Sequence, residues 1–454
     1  MGDAMASEPI ALQAAVIGGG IAGLCAAGAL ADHFEQVVVL ERDSLSDGPA
    51  HRPGTPQSRH AHGLLVGGQR ALSELFPGFE RDLVEAGSVL VTSSIDVRVE
   101  RPGYDPFPQR DLGLTSYALS RPAIEFAVRQ RVRARANISL RDRCRVGELL
   151  ASTDRTAVTG VRFDEEGAGQ RELAADLVVD ASGRGAPTLA LLKATGHPLP
   201  DETVIGVDQH YATGVFDIPS DAPADWKSVL TFGGLPANPA RGALLWPLEG
   251  NQWIVSLGGR HGDAPPGDVG GFMAFAQGLR TPTVHDAVKN ARLDGNIVRY
   301  GFRDNVLRHV DRLEFFPRGL IALGDAVCRF NPVYGQGMTV AAQEACLLRK
   351  LLAAPASSGD PLQGLAKAFF KHIPSLVETP WGVATFDFVH PATRGQRPAD
   401  FDSRVKFGAA LTRLAAEDPD VHRLASEVQH LLKPRSVYQD PALLQRLLPL
   451  LAQA

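Results

Sequence analysis

The feature that most restricts the fold is the segment 11–31, ALQAAVIGGGIAGLCAAGALA, in which Gln13 is the only polar side chain. Its length and hydropathy would suit a membrane span, but no basic flank precedes it and five glycines interrupt it. We therefore predict a buried strand over 12–17, a tight glycine turn and a buried helix from about Ile21. Because a continuously apolar strand is typical of a central parallel strand covered on both faces, the segment indicates a doubly wound α/β fold.

The glycine turn fits the pattern G-x-G-x-x-G with Gly18, Gly20 and Gly23. The first glycine permits the turn, the second lets a pyrophosphate approach the backbone, and the third lets the helix pack close to the strand. The next expected strand, 37–40, is followed by Glu41, whose carboxylate can accept hydrogen bonds from a ribose. The alternative is that Glu41 simply ends a strand at the surface. The order of strand, turn, helix and acid predicts a Rossmann-type dinucleotide-binding unit.

Charge and cysteine content exclude several function classes. Lys plus Arg number 46 and Asp plus Glu number 51, which gives a formal net charge of −5. No clustered positive face is expected, so the sequence does not indicate nucleic-acid binding. The four cysteines, at 25, 144, 328 and 346, form no C-x-x-C pair. We therefore expect no metal site and a reducing, cytoplasmic location, and we expect no membrane span.

The remaining pattern divides the chain into one discontinuous domain, one inserted domain and a C-terminal region. Ser120 is placed to cap a helix, 173–180 has the composition of a buried strand, and 243–257 alternates like a β-hairpin. We expect a helix over 62–75, and the residues after 400 have helical periodicity. We expect a nucleotide-binding domain from 10–75, 120–190 and 300–355, a mainly antiparallel β-sheet substrate domain from 76–119 and 191–299, and a helical region over 356–454.

Three motifs in this order support a family resemblance: GGGIAG at 18–23, VVDASGRG at 178–185 and LIALGDAVCRFNPVYGQGMTVAAQEA at 320–345. The set resembles FAD-dependent monooxygenases of the aromatic-hydroxylase and squalene-epoxidase superfamily. Two further segments, PQSRHAHGLL at 56–65 and TPWGVAT at 379–385, look most like a bacterial branch that includes polyether epoxidases. The resemblance implies a Rossmann-type FAD-binding domain, an inserted antiparallel β-sheet substrate domain and a C-terminal helical region.

The resemblance also implies where FAD would be held. Asp325 would accept a hydrogen bond from a ribityl hydroxyl, and the loop from Pro332 would lead to a helix near Met338 whose N-terminus faces the flavin. Arg121 would reach the phosphates unless it is a solvated helix arginine, and Arg42 would flank the adenosine unless it is simply exposed. The expected contacts are Gly18, Gly20, Ile21, Ala22, Gly23, Glu41, Arg42, Arg59, Arg121, Asp325, Pro332, Gly335, Gln336, Gly337 and Met338.

The candidates for catalysis and for substrate binding are fewer. Arg59, His60 and His62 lie where the family places residues near the flavin ring, and one histidine is expected to be a donor there, although a structural histidine is as good an interpretation. No third ligand accompanies the two histidines, so they do not form a metal site. About half of the following aromatic side chains are expected to line the substrate pocket and the others to be core: Tyr211, Phe216, Phe232, Trp246 and Trp253.

The reaction implied by the resemblance is insertion of one oxygen atom from O₂, by epoxidation or hydroxylation, into an apolar natural-product-like substrate through a flavin C4a-hydroperoxide. There is only one dinucleotide fingerprint, so the electrons would come from NAD(P)H directly or through a partner flavin reductase.

Four other functions share parts of this pattern. The main alternative is an FAD-dependent reductase of prenyl double bonds. A flavin halogenase fits less well because the Trp-x-Trp-x-Ile-Pro signature is missing. A non-catalytic FAD-binding protein is a third alternative, and a membrane-attached quinone-ring hydroxylase is a fourth, for which the apolar stretch 443–454 leaves peripheral attachment open.

Overall fold

The architecture has two large sheets and a set of C-terminal helices, seen in a computed structural model that describes residues 10–233, 241–354 and 359–452. The strands, in chain order, are β1 (Ala11–Ile17), β2 (Phe34–Leu40), β3 (Val89–Thr92), β4 (Val97–Glu100), β5 (Thr115–Ala118), β6 (Ile138–Arg141), β7 (Cys144–Ala151), β8 (Val158–Glu165), β9 (Gly169–Ala174), β10 (Leu177–Asp180), β11 (Glu202–Asp217), β12 (Ser228–Thr231), β13 (Gly242–Leu248), β14 (Gln252–Arg260), β15 (Leu293–Arg308), β16 (Leu320–Ala322) and β17 (Cys328–Arg329). The helices are α1 (Ile21–Leu30), α2 (Val66–Leu75), α3 (Phe79–Glu85), α4 (Arg121–Arg133), α5 (Ala186–Thr195), α6 (Val269–Gln277), α7 (Thr283–Val288), α8 (Gly337–Leu352), α9 (Leu365–Ala384), α10 (Phe401–Glu417), α11 (Pro419–Gln429) and α12 (Pro441–Leu451).

The first sheet is parallel, with the order β16-β10-β1-β2-β6. Helices α1, α4 and α8 pack on one face of it. On the other face, Ala15 and Ile17 of β1 meet Phe163 of β8 and Leu191 of α5. Strand β1 is therefore buried on both faces, which explains its continuously apolar sequence. The predicted α/β class with a Rossmann-type core is confirmed.

The second sheet has the order β17-β15-β11-β14-β13-β12-β4 and is antiparallel except for the β12–β4 pair. One of its faces is covered by α6 and α7, where Phe216 and Trp253 belong to the same core cluster as Phe272. The opposite face carries Tyr211, which packs with Ala384 and Phe388 of the C-terminal region, and Trp246, which packs with Val91 and Ala118. The hairpin predicted over 243–257 is confirmed as β13 and β14.

Three local predictions need correction. The strand expected over 173–180 is two strands, because β9 pairs with β8 whereas β10 pairs with β1. The chain changes sheets at Asp176, whose Oδ2 accepts hydrogen bonds from the amides of Leu12 and Gln13. Strand β15 crosses the domain boundary expected at 300, since it pairs with β11 up to Arg308. The helix expected from residue 62 begins at 66, because the residues before it run in a short 3₁₀ turn and then extended.

The C-terminal helices form two layers. Helix α9 packs through Phe369 and Ile373 into the core beside α8, and a 3₁₀ turn over Thr385–Val389 follows it. Helices α10, α11 and α12 share a smaller core with Phe107. The cap predicted at Ser120 is present, since its hydroxyl oxygen accepts a hydrogen bond from the amide of Ala123 at 3.3 Å.

Candidate functional site

The glycine turn after β1 is shaped by contacts that no side chain would tolerate. A Cβ on Gly18, whose φ is +100°, would lie 2.7 Å from the carbonyl oxygen of Ala181, and a Cβ on Gly23 would lie 1.8 Å from that of Gly18. Helix α1 has no side-chain cap at Gly20. The amides of residues 20–23 find no acceptor in the described ranges, so they form the kind of helix N-terminus that binds a phosphate.

The turn around Asp325 packs directly on that helix start. Gly324 has a φ of +68°, and a Cβ there would lie 2.9 Å from the Cβ of Ala22. The amide of Gly324 donates to Glu344 Oε2 at 2.6 Å. Burial raises the pKa of Asp325 to about 6 and that of Glu344 to about 8. Asp325 is thus a carboxyl group held beside α1 in a poorly solvated position, where a ligand hydroxyl can replace water as its partner.

A second uncapped helix start lies close by, at the N-terminus of α8. A 3₁₀ turn over Pro332–Tyr334 precedes it, and Gly335 continues with a φ of +66°. The amides of Gly337 and Met338 have no acceptor within the described residues. Five of the residues that were predicted to contact FAD lie in this turn or at this helix start: Pro332, Gly335, Gln336, Gly337 and Met338.

These features fit FAD. One free helix N-terminus suits a pyrophosphate, the carboxyl group of Asp325 suits a sugar-alcohol hydroxyl, and the second helix N-terminus suits a flavin edge that gains negative charge on reduction. Glu41 accepts a hydrogen bond from the amide of Gly19 at 2.7 Å. The amide of Asp43 donates to Glu41 Oε1 at 2.9 Å, and Arg52 Nη1 lies 3.1 Å from Glu41 Oε2. About one of the four acceptor positions of the carboxylate therefore remains for a ribose.

A buried charge cluster that the sequence analysis missed surrounds Glu41. Arg52 Nη1 lies 3.1 Å from Glu41 Oε2 and 3.0 Å from Asp43 Oδ2, and Arg52 Nε lies 2.9 Å from Glu125 Oε1. Burial lowers the pKa of Arg52, but the carboxylates of Glu125 and Glu41 outweigh it and raise the pKa overall. Arg52 stands in a Pro- and Gly-rich loop where no periodicity marks it, so no sequence signal was available.

The arginines predicted to contact FAD differ in their surroundings. Arg121 is only 6% exposed, and its Nη1 lies 2.9 Å from Glu125 Oε2. The alternative of a solvated helix arginine is therefore wrong. Arg42 and Arg59 are exposed, and the structure brings neither of them into the buried cluster.

His60 is held between the two halves of the molecule. Its Nδ1 lies 2.7 Å from Thr213 Oγ1, and its ring lies 5.4 Å from that of Tyr300. Burial lowers the pKa of His60 to about 4, so the side chain is neutral near pH 7. Its Nε2 is buried and has no hydrogen-bond partner among the described residues.

His62 is neutral for similar reasons. Its Nδ1 lies 2.9 Å from the carbonyl oxygen of His60, and burial together with the nearby charge of Arg121 lowers its pKa to about 4. Within the described part of the chain, no group of three or more His, Cys, Asp or Glu side chains is placed to bind a metal ion.

The five aromatic candidates separate according to the faces of the second sheet. Tyr211 and Trp246 lie on the face that carries Thr213 and contacts His60. Phe216 and Trp253 need correction as pocket candidates, because strand alternation directs them to the other face, under α6 and α7. Phe232 is 39% exposed just after β12, with the Arg101 guanidinium 5.4 Å from its ring centroid, so it is not brought to the site either.

A buried carboxylate from the C-terminal region joins the second sheet to the loop before α8. Asp387 Oδ1 accepts hydrogen bonds from Tyr334 Oη at 2.6 Å and from Arg260 Nη1 at 2.9 Å, and its Oδ2 accepts from Asn305 Nδ2 at 3.2 Å. Tyr211 Oη donates to Asn331 Oδ1, and the amide of Asn331 donates to Asn305 Oδ1. The sequence analysis noted the neighbouring segment 379–385 but not these residues, whose partners are distant along the chain.

Over the described ranges, no helix is both long enough and apolar enough to cross a bilayer.

Comparison with known proteins assigns the family. The chain is 35% identical over 369 residues to protein Rv3254 of Mycobacterium tuberculosis, covering 79% of this chain and 77% of that one. Its fold is similar to that of p-nitrophenol 4-monooxygenase PnpA from Pseudomonas putida, with a TM-score of 0.65, 18% identity and coverage of 94% and 99%. It is also similar to the flavin-dependent brominase Bmp2, with a TM-score of 0.63, 14% identity and coverage of 92% and 94%.

The family described as FAD binding domain matches residues 11–365. The chain therefore belongs to the FAD-binding domain family, and at the level of that family the predictions of FAD as cofactor and of a flavin-dependent oxidoreductase are confirmed.

Proposed function

We propose that the protein is an FAD-dependent monooxygenase that inserts one oxygen atom from O₂ into an apolar, natural-product-like substrate. The observation that carries the proposal is the arrangement of two free helix N-termini and Asp325 on one side and a mostly apolar sheet face on the other. FAD, when bound, supplies the electrons and the activation of O₂. The chain binds and orients it, excludes water and controls protons.

The sheet face supports an apolar substrate. Tyr211, Trp246 and Ile254 lie on it and are buried. Thr213 and Ser256 hydrogen-bond to each other at 2.7 Å, whereas Trp246 Nε1 and His60 Nε2 have no partner among the described residues. A face with so few polar groups favours a mainly apolar ligand. Epoxidation by analogy with the polyether-epoxidase branch is the specific reaction that we propose.

His60 is the side chain we propose for proton control near the flavin. Because it is neutral near pH 7 and buried, it can donate a hydrogen bond without placing a charge beside an apolar substrate. The FAD contacts predicted from the sequence and the division into domains, with all of β15 assigned to the β-sheet domain, belong to the same proposal. So do NAD(P)H or a partner flavin reductase as electron source and a cytoplasmic location.

The test is to reduce the FAD-loaded protein without oxygen and then to mix it rapidly with oxygenated buffer. We expect a transient absorbance distinct from reduced and oxidised flavin, and incorporation of one ¹⁸O atom from ¹⁸O₂ into an alkene or polyene substrate. Product that lacks ¹⁸O and has lost a double bond would instead establish the prenyl reductase. Absence of any product with every electron donor would establish the non-catalytic alternative.

A further inference from the structure

A cavity lies among the C-terminal helices, and none of the predicted flavin contacts lines it. Its volume is about 520 Å³, which is within the range of small-molecule sites. Its walls come from the end of β15, from α9 and α10, from a 3₁₀ turn over Arg435–Gln439 and from α12. Its apolar lining includes Ile373, Val377, Trp381, Phe407 and Leu444.

One cation in this cavity is placed by specific contacts. The backbone amide of Arg435 donates to Thr379 Oγ1 at 3.2 Å. A Cβ on Gly382 would lie 2.5 Å from Arg435 Nη1, so the guanidinium rests on the backbone of α9 at the one position of that turn without a side chain. The Arg435 side chain is therefore held at the cavity wall rather than extended into solvent.

This guanidinium has no carboxylate at ion-pair distance in the described ranges. Asp400, which also lines the cavity, is paired with Arg404 at 2.9 Å. Glu378 and Asp311 line it as well but form no ion pair with Arg435. Burial lowers the pKa of Arg435, the neighbouring Arg404 guanidinium lowers it further, and Tyr438 and Glu378 only partly offset these effects. The Arg435 guanidinium is open to the cavity, and a carboxylate is the ligand group that matches its planar fork.

We infer that this cavity binds a small amphipathic carboxylate, with the carboxylate on Arg435 and an apolar chain along α9 and Phe407. Arg312 also lines the cavity, so Arg435 is not its only cation. A carboxylate is favoured over a phosphate dianion because Asp311 and Glu378 line the same cavity and repel a second negative charge. The site does not depend on the monooxygenase proposal, since it uses no residue assigned to the flavin.

The experiment is calorimetric titration of the full-length, FAD-loaded protein with decanoate, and with decanol as the uncharged probe. We expect decanoate to bind with one site per chain that Arg435→Gln weakens about tenfold or more, a change typical of losing a charge-assisted hydrogen bond. Decanol should bind far more weakly. Arg413→Gln is the matched control, because Arg413 lies on α10 outside the cavity lining, with its Nε 3.7 Å from Glu417 Oε1.

Equal binding of decanoate and decanol, unchanged affinity in Arg435→Gln, or no decanoate binding would each overturn the inference. Arg435→Lys keeps the positive charge and should retain part of the affinity. It thereby separates loss of the anchoring cation from loss of folding, which circular dichroism checks in each variant.

Discussion

His60 Nδ1 lies 2.7 Å from Thr213 Oγ1, and Thr213 Oγ1 lies 2.7 Å from Ser256 Oγ. The amide of Ala61 donates to Ser256 Oγ at 2.9 Å. If Ser256 donates to Thr213 and Thr213 donates to His60, each hydroxyl proton has an acceptor. The reverse direction leaves the Ser256 proton without one among the described residues. The chain of hydroxyls therefore favours the tautomer of His60 that carries its proton on Nε2.

We predict that His60 stays neutral, with its proton on Nε2, well below pH 6, since burial lowers its pKa to about 4. Two-bond ¹⁵N–¹H correlation spectra of ¹⁵N-histidine-labelled protein measure this directly, and a His60→Gln variant assigns the signal. Thr213→Val removes the donor to Nδ1, so it should destabilise the protein by about 1–3 kcal/mol and shift the tautomer populations. A proton found on Nδ1 in the unmodified protein would contradict the proposed direction of the chain.

Removal of Asp325 should weaken FAD binding, whereas removal of Asp180 should lower the stability of the fold. Asp325→Ala should weaken FAD binding about tenfold or more, because a charged acceptor for the ligand is lost. It should leave folding intact, since this carboxyl group is poorly solvated and its pKa is raised to about 6. Fluorescence titration with FAD and thermal unfolding measure the two effects.

Asp180→Ala is the contrasting variant. Asp180 Oδ2 accepts hydrogen bonds from the amide of Thr188 at 3.1 Å and from its hydroxyl at 2.6 Å, and Oδ1 accepts from the amide of Ser182 at 3.1 Å. Its loss leaves buried donors unsatisfied, so we expect a destabilisation of about 2–4 kcal/mol.

For the Asp325→Ala variant, a protein that is still fully loaded with FAD would mean that the ribityl contact lies elsewhere.

The sequence could predict the parts of the site whose chemistry is local. Gly18 and Gly23 are identified by their spacing in the strand-turn-helix pattern, and the contact that excludes a side chain at Gly23 is with Gly18 itself, whereas the contact at Gly18 is with the distant Ala181. The partners of His60 could not be predicted, because Thr213 is 153 positions away. Alternation indicated that some strand aromatics are core, but only the presence of α6 and α7 over one face decides that these are Phe216 and Trp253.

Asp387 should hold the loop over 331–337, before α8, in a single conformation. Asp387→Ala leaves Arg260 without its buried partner, which typically costs about 3–5 kcal/mol, and it releases Tyr334 from the C-terminal region. We expect faster hydrogen exchange over 331–337, measured by mass spectrometry, together with weaker FAD binding. Asp400→Asn is the matched control, because its ion pair with Arg404 is on the surface. Unchanged exchange in that loop would show that it is held without Asp387.

Glu344 should make the protein less stable as the pH rises toward 8. Its pKa is raised from 4.5 to about 8 by burial, so between these values the unfolded state has lost a proton that the folded state retains. Stability should therefore fall with rising pH by about 1 kcal/mol per unit. Glu344→Gln keeps an oxygen acceptor for the amide of Gly324 and removes the titration, so its free energy of unfolding should vary less with pH.

The window from pH 6.5 to 8 isolates this effect. Asp325, whose pKa is raised to about 6, contributes the same sign but only below that range. The histidines with pKa values lowered to about 4, such as His60 and His430, destabilise the fold only as the pH falls below 6.5. Urea unfolding of both proteins across this window measures the difference, and the exposed Glu417→Gln change on α10 should keep the original slope. Parallel curves for Glu344→Gln and the unmodified protein would mean that Glu344 is already ionised at pH 6.5, with Gly324 and its surroundings stabilising the charge.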